Sequence, residues 1–332
     1  MSGPEVVVAG VSCVDFVTTS ATLTPGVMNP AEIRVSVGGI GNAVTALSGL
    51  DVSCGVSTRV GRDMFGDHLK RRWAEQGADL AGVVTDPQRP TGLSMVLNHG
   101  GERTPFYASG AVSAFTRADI PPSYVRCAKV FLVFFAGALP ALDGPPLAAL
   151  VRDCHAAGGA VILDLSDKTG ADYSPVPACL PYVNLVVNAV EAERMTGLRD
   201  PAAAAEHLCH TAGGSLQNRC VAVTTGGGAA FACERDGRLA VRTVESPFHG
   251  RPVHDVVGAG DAFRAGLAWF LARHHDGWRE GRLDWTPAFR HACAVSYLFL
   301  SRTTDDRPCT PSAVETILSG ATRTQTQPDT VR

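Results

Sequence analysis

Short apolar runs rich in β-branched residues alternate with Ala/Leu-rich stretches along nearly the whole chain. Residues 5–9, 52–60, 130–135, 160–164, 185–188 and 220–225 have the length and composition of strands. These runs are apolar throughout, the pattern of strands buried on both faces. Between them, residues 42–50, 63–77, 145–157, 189–196 and 201–212 read as helices. Asp63 stands where it caps the second of these helices, and Gly77 where it ends it. Such alternation predicts an α/β fold, a mostly parallel sheet covered by helices on both sides.

Two segments break the rhythm. Residues 31–37 and 91–107 carry extended, partly alternating patterns, and Gly100-Gly101 fits a hairpin turn within the second. They predict a small separate β-sheet, a lid, inserted at about 16–37 and 91–108 into one domain spanning 1–320. Edge strands of the main sheet are the alternative. The polar Thr/Gln-rich tail at 321–332 predicts disorder.

Composition narrows the class. The chain has 332 residues, 45% of them hydrophobic, enough for a large core. A net charge of −3 gives no reason to expect nucleic acid or an anionic membrane as partner. The apolar run near the N-terminus lacks a basic flank and reads as a first strand rather than a signal peptide. Residues 130–139 form the best candidate membrane span, about half the required length. Ten cysteines are scattered singly, which fits buried thiols in a reduced, cytoplasmic protein. Lysine occurs only as Lys70, Lys129 and Lys168, so each invites inspection.

The strongest chemical signal is the run from His254 to Gly266, HDVVGAGDAFRAG. A glycine-rich turn there feeds an Ala/Leu/Trp helix that ends near Ala272. Gly258 and Gly260 free the backbone, so that amides of the turn and of the first helical turn converge on an anion. Asp261 is odd in that place, because a carboxylate competes with bound phosphate unless it has its own task. Two readings stay open on these grounds: a plain helix cap, or a base that accepts a proton from an attacking hydroxyl.

The run DVVGAGDAF resembles the C-terminal signature of the ribokinase-like (PfkB) carbohydrate kinases, D-[TV]-x-G-A-G-D-x-F. The resemblance implies Asp261 as catalytic base and an anion hole at Gly258, Ala259 and Gly260. It also implies that Asp255 helps to organise a monovalent-cation (K+) site. The glycine-bearing loop that completes this site in the family is replaced by residues 302–306, so the cation stays optional. Val37-Gly38-Gly39-Ile40-Gly41-Asn42, followed by Gly61-Arg62-Asp63-Met64-Phe65-Gly66, resembles the family's N-terminal signature, with two residues rather than three between Gly-Gly and Asn. Asp15, in Gly10-Val11-Ser12-Cys13-Val14-Asp15, matches the family's sugar-hydroxyl-binding Asp; the intermediate position often filled by Asn in ribokinases is Cys13.

Further matches complete the expected site. Asn188 and Glu191 resemble the family's N-x-x-E motif, which positions Mg2+ and phosphate largely through water. Thr225, Gly226 and Gly228 resemble its nucleotide loop. Lys168 sits where many members carry a cation toward the transferred phosphate. Arg103 resembles the lid-to-core return beside the acceptor, and His291 lies near the family's adenine contact. Together these imply a three-layer α/β/α ribokinase-like fold with a β-sheet lid, and ATP and Mg2+ as cofactors. A sugar, cyclitol or aminosugar is the implied acceptor, and the lid is a candidate homodimer surface. A nucleoside kinase of the same family and a catalytically silent sugar- or nucleotide-binding regulator are the competing readings. No G-K-[ST] occurs, which excludes a P-loop.

Overall fold

The computed structural model describes residues 3–20, 33–99, 102–166, 172–212, 218–235, 238–254, 256–301 and 309–325. In chain order the elements are β1 (Val6–Gly10), β2 (Ser12–Ser20), β3 (Ile33–Gly39), α1 (Ile40–Leu47), β4 (Cys54–Gly61), α2 (Met64–Glu75) and β5 (Asp79–Asp86). There follow β6 (Leu93–His99), β7 (Glu102–Ala108), α3 (Pro122–Cys127), β8 (Val130–Ala136), α4 (Pro145–Ala156), β9 (Ala160–Leu165), β10 (Asn184–Asn188) and α5 (Ala189–Thr196). The remainder is α6 (Pro201–Ala212), β11 (Cys220–Thr224), β12 (Gly228–Arg235), β13 (Arg238–Glu245), α7 (Ala259–Arg273), α8 (His275–Arg279), α9 (Trp285–Leu300) and α10 (Pro311–Gln325).

Nine strands form the main sheet in the order β13-β12-β11-β10-β9-β8-β1-β4-β5, parallel from β5 through to β11, with β12 and β13 antiparallel at one edge. Successive side chains on a strand point to opposite faces, and the core divides accordingly. Val6 and Val8 pack with α1, α2, α7 and α9 on one face, while Val7 and Ala9 pack with α3, α4, α5 and α6 on the other. That is a three-layer α/β/α architecture. Strand order reverses around β1, whose neighbours are β4 and β8. In an open parallel sheet the crevice beyond the carboxyl ends at such a reversal is where ligands bind.

A second sheet of four strands, β3-β2-β6-β7, stands apart from the first. It is not an edge of the main sheet. Its strands start and stop nearer to the core than the sequence suggests: β2 begins at Ser12, one residue after β1, and β3 runs straight into α1. Asp15 therefore belongs to a strand, not to a loop following one. Gly100 and Gly101 lie outside the described residues. At the other end of the chain, α10 continues to Gln325, past the predicted start of a disordered tail at 321.

Asp63 fixes the base of the small sheet. Its Oδ1 caps α2 by accepting from the Phe65 and Gly66 amides at 3.1 and 2.8 Å, as its position predicts. It also accepts from the Thr91 hydroxyl at 2.7 Å through Oδ1 and from the Thr91 amide at 2.7 Å through Oδ2. Thr91 lies just ahead of β6, so one carboxylate ties a core helix to the small sheet. Burial alone raises this carboxyl, but the Thr91 hydroxyl, then the Thr91, Gly66 and Phe65 amides, outweigh it and hold it below the usual range.

Candidate active site

The turn ahead of α7 is shaped by Gly258, which caps the helix in the left-handed region at φ 81°. A side chain there meets Phe299 Cε1 at 2.9 Å and Asn42 Cγ at 3.0 Å, so glycine is required for both space and conformation. The first bond of the helical ladder is Ala262 N to Gly258 O at 2.9 Å. The amides of Gly260 and Asp261 thus precede the ladder, at the positive end of a 15-residue helix. Ser296 on α9 braces the turn by donating from Oγ to the Ala259 carbonyl at 2.9 Å.

Asp261 is the third residue of α7, and the cap itself is Gly258, so the plain capping role drops out. Instead, Asn42 Nδ2 on α1 donates to Asp261 Oδ2 at 2.9 Å, across 219 residues of sequence. This fixes the plane of the carboxylate in the crevice where α1 and α7 meet.

Asp15 approaches from the small sheet. It is only 6% exposed, and its carboxylate lies over Gly38, where a Cβ would collide with both oxygens. Cys13 Sγ donates to its Oδ1 at 3.3 Å. Burial pushes the Cys13 thiol well up; the Asp15 charge, the Cys13–Asp15 hydrogen bond and the Asp261 charge add to it, so the thiol remains a donor. Strand register sets Ser36, Asp15, Ser94 and Tyr107 side by side in one row across the sheet. The Tyr107 phenol is likewise pushed up, first by burial, then by Cys13 and Asp15.

The carboxyl ends of the neighbouring main-sheet strands carry the next group. Asn188 and Glu191 form a reciprocal capping box: Glu191 N donates to Asn188 Oδ1 at 2.9 Å, and Asn188 N to Glu191 Oε2 at 2.8 Å. Glu191 is 2% exposed. Thr225 to Gly228 make the turn between β11 and β12, closed by Thr225 N to Gly228 O at 2.9 Å, and nothing lies within 4 Å of a Cβ placed on Gly226. At the end of β9, buried Asp164 accepts from the Phe135 amide at 3.1 Å and contacts the Arg264 guanidinium. Burial raises the Asp164 carboxyl, the guanidinium pulls it down, and Glu191 and Asp261 push it up again; the net direction is upward.

Other predicted positions stand farther off. His291 lies five residues before Ser296 on α9, about 7.5 Å along the helix axis. Its Nδ1 faces the Pro287 carbonyl at 2.8 Å, and its ring packs near Phe270 with centroids 4.9 Å apart. Gly39 caps α1 with a positive φ of 58°. Arg103 belongs to β7, opposite Asn98. Lys168 and Asp255, with the K+ site assigned to the latter, lie outside the described residues.

Sequence reasoning missed Arg264 and the role of Asp164. The available signal was a charge at Arg264 inside the otherwise apolar run 262–272. Among the described residues no group of three or more His, Cys, Asp or Glu forms a metal cage.

Comparison with known proteins supplies the context. A family model described as pfkB family carbohydrate kinase matches residues 4–312. The bifunctional protein HldE of Nitrobacter hamburgensis is 26% identical over 276 residues, 79% of this chain and 52% of that protein, so the chain spans about half its length. A fructokinase of Vibrio alginolyticus is 27% identical over 283 residues, 83% of this chain and 86% of that one. The crystal structure of a fructokinase with bound ATP from Xylella fastidiosa superposes with a TM-score of 0.77 at 20% identity, covering 96% of this chain and 99% of the other. Among the described residues no helix is long and apolar enough to cross a membrane.

Proposed function

The chain belongs to the pfkB family of carbohydrate kinases, phosphotransferases whose acceptor is an alcohol, and on that premise we propose that it transfers the γ-phosphoryl group of ATP to a hydroxyl of a sugar or sugar-like molecule. The observation that carries this reading is the Asn42–Asp261 hydrogen bond, 2.9 Å long, at the open N-terminus of α7. A carboxylate held in one plane beside converging amides suits proton removal from an alcohol that attacks a phosphoryl group.

The acceptor lies between the small sheet and α1. Asp15, over Gly38, takes hydrogen bonds from a pair of hydroxyls, and Cys13 keeps one of its oxygens oriented. Asp261 accepts the proton of the reacting hydroxyl. The turn at Gly258, Ala259 and Gly260 faces the transferring group and offsets the charge on its oxygens. The nucleotide runs from there over the open Gly226 turn, with Asn188 at its phosphates and His291 toward its base. Mg2+ arriving with ATP would neutralise phosphate charge, and Glu191 is the residue that would hold it, through water. The small sheet closes over the acceptor as a lid and excludes water, which suppresses ATP hydrolysis.

The experiment is an ADP-release assay over a panel of sugars, cyclitols, aminosugars and nucleosides, with phosphorylated product identified by mass. One or a few alcohols should be phosphorylated in an ATP-dependent way. Nucleotide binding without any product across the panel would replace this reading with a silent binding protein.

A further inference from the structure

Residues 262–272 of α7 are buried without a break, and Arg264 is the one charged side chain among them, 6% exposed. A buried guanidinium is unfavourable unless its donors are satisfied and its charge is paired. Here both conditions are met. It forms an ion pair with Asp164 on β9, and Nη2 and Nε donate to the Val186 carbonyl on β10 at 2.9 and 3.3 Å. The remaining arm points at the turn: Nη1 lies 2.7 Å from the place of a Cβ on Gly260. The end of an arginine normally moves aside for a methyl group, but two strands pin this one.

We infer that Arg264 is a positioning residue for phosphoryl transfer, a buried cation that locks the Gly258–Asp261 turn onto β9 and β10 and balances the carboxylates around it. The inference rests on the assignment of that turn as the phosphoryl site. Arg264 and Asp261 are three residues apart on one helix, so their side chains leave neighbouring points of the same face. Asp164 from β9, Glu191 from α5 and Asp261 from α7 share one electrostatic neighbourhood, and the Asp261 charge also reaches Cys13 on β2. Against three acids the guanidinium is the compensating charge. Without it, the acids repel one another and the base is harder to keep ionised. Glycine at 260 is then explained by this chain's own packing, since the locked guanidinium occupies the space of any side chain there.

The test compares R264M and R264K with wild type in the full chain, using kcat, both KM values, the pH profile of kcat/KM and thermal melting. R264M should lose at least about tenfold in kcat, with acceptor KM changed by less than about threefold. Its acidic limb should move up, because a positive charge on the same helix face as the base is removed. R264K should restore the limb but not the full rate, since ammonium keeps the charge without the fork that grips both strands. A folded R264M with wild-type rate and limb overturns the inference. If R264M does not fold, R264K decides: at least about a tenfold loss of kcat in a folded protein supports the grip of the fork on both strands, and a wild-type rate overturns it. A wild type inactive on every acceptor sinks the parent reading and this one together; an active wild type with indifferent variants sinks this one alone.

Discussion

Replacing Asp63 by Asn separates the two jobs of one carboxylate. In the native chain, Oδ1 caps α2 and takes the Thr91 hydroxyl, while Oδ2 takes the Thr91 amide at 2.7 Å. An amide side chain presents one oxygen and one NH2 group. Kept in the native orientation it caps the helix but sets a donor against the Thr91 N–H; flipped, it satisfies Thr91 and sets that donor against the Phe65 and Gly66 amides. Either way a charge-assisted bond is lost and a backbone donor goes unmet, a cost of about 1.5–3 kcal/mol. For a chain of this size, that corresponds to a fall in melting temperature of roughly 2–4 °C. D63A removes the cap as well, adding about 1 kcal/mol.

The sign with pH follows from the depressed carboxyl. Folded Asp63 ionises below the unfolded value of about 3.9, so its stabilisation is complete above that pH and is lost as pH falls through the folded value. The melting gap between wild type and D63N should therefore be constant near neutrality and shrink below about pH 4. Calorimetric scans from pH 7 to pH 3 measure it. A D63N protein melting within about 1 °C of wild type at pH 7 would refute the clamp.

Other perturbations address the site and the small sheet. Gly38→Ala drives a methyl into the Asp15 carboxylate and should raise acceptor KM at least about tenfold with ATP KM nearly unchanged; equal rises in both would contradict the acceptor assignment. Cys13→Ala removes the donor to Asp15 and should change the order of preference among acceptors in the panel, whereas an identical order would place Cys13 outside the pocket. The outer face of the small sheet carries Val35, Met95 and Phe106 in one register row, Phe106 being 60% exposed. If a second copy covers this row, as expected of the lid from sequence, sedimentation should give a dimer that Phe106→Lys converts to monomer; a monomeric wild type would remove that pairing.

Much of the architecture was legible before any coordinates. Strands predicted at 130–135, 160–164 and 185–188 are observed at Val130–Ala136, Ala160–Leu165 and Asn184–Asn188, because strands buried on both faces leave an unbroken apolar run. The segments at 31–37 and 91–107 stood out by alternation, and their described strands, β3, β6 and β7, belong to the separate sheet. Polar edge strands were harder: β13 exposes much of its length, and no apolar pattern marks it. Asp15 lies one residue ahead of the predicted lid start at 16, yet belongs to β2, where its Cys13 and Gly38 neighbours hold it. The glycine turn before α7 was plain from local chemistry. The Asn42–Asp261 contact, 219 residues apart, and the Arg264 bridge to β9 and β10 were not, since only the tertiary fold brings those groups together.

The claim on which the account turns is that Asp261 takes the acceptor's proton. Asp261→Asn retains the shape and the Asn42 contact partner while removing the basic oxygen, so folding and ATP affinity, measured by calorimetry, should stay near wild type. Turnover on the preferred acceptor should fall at least about a hundredfold. Turnover within about threefold of wild type, with ATP affinity intact, would contradict the assignment.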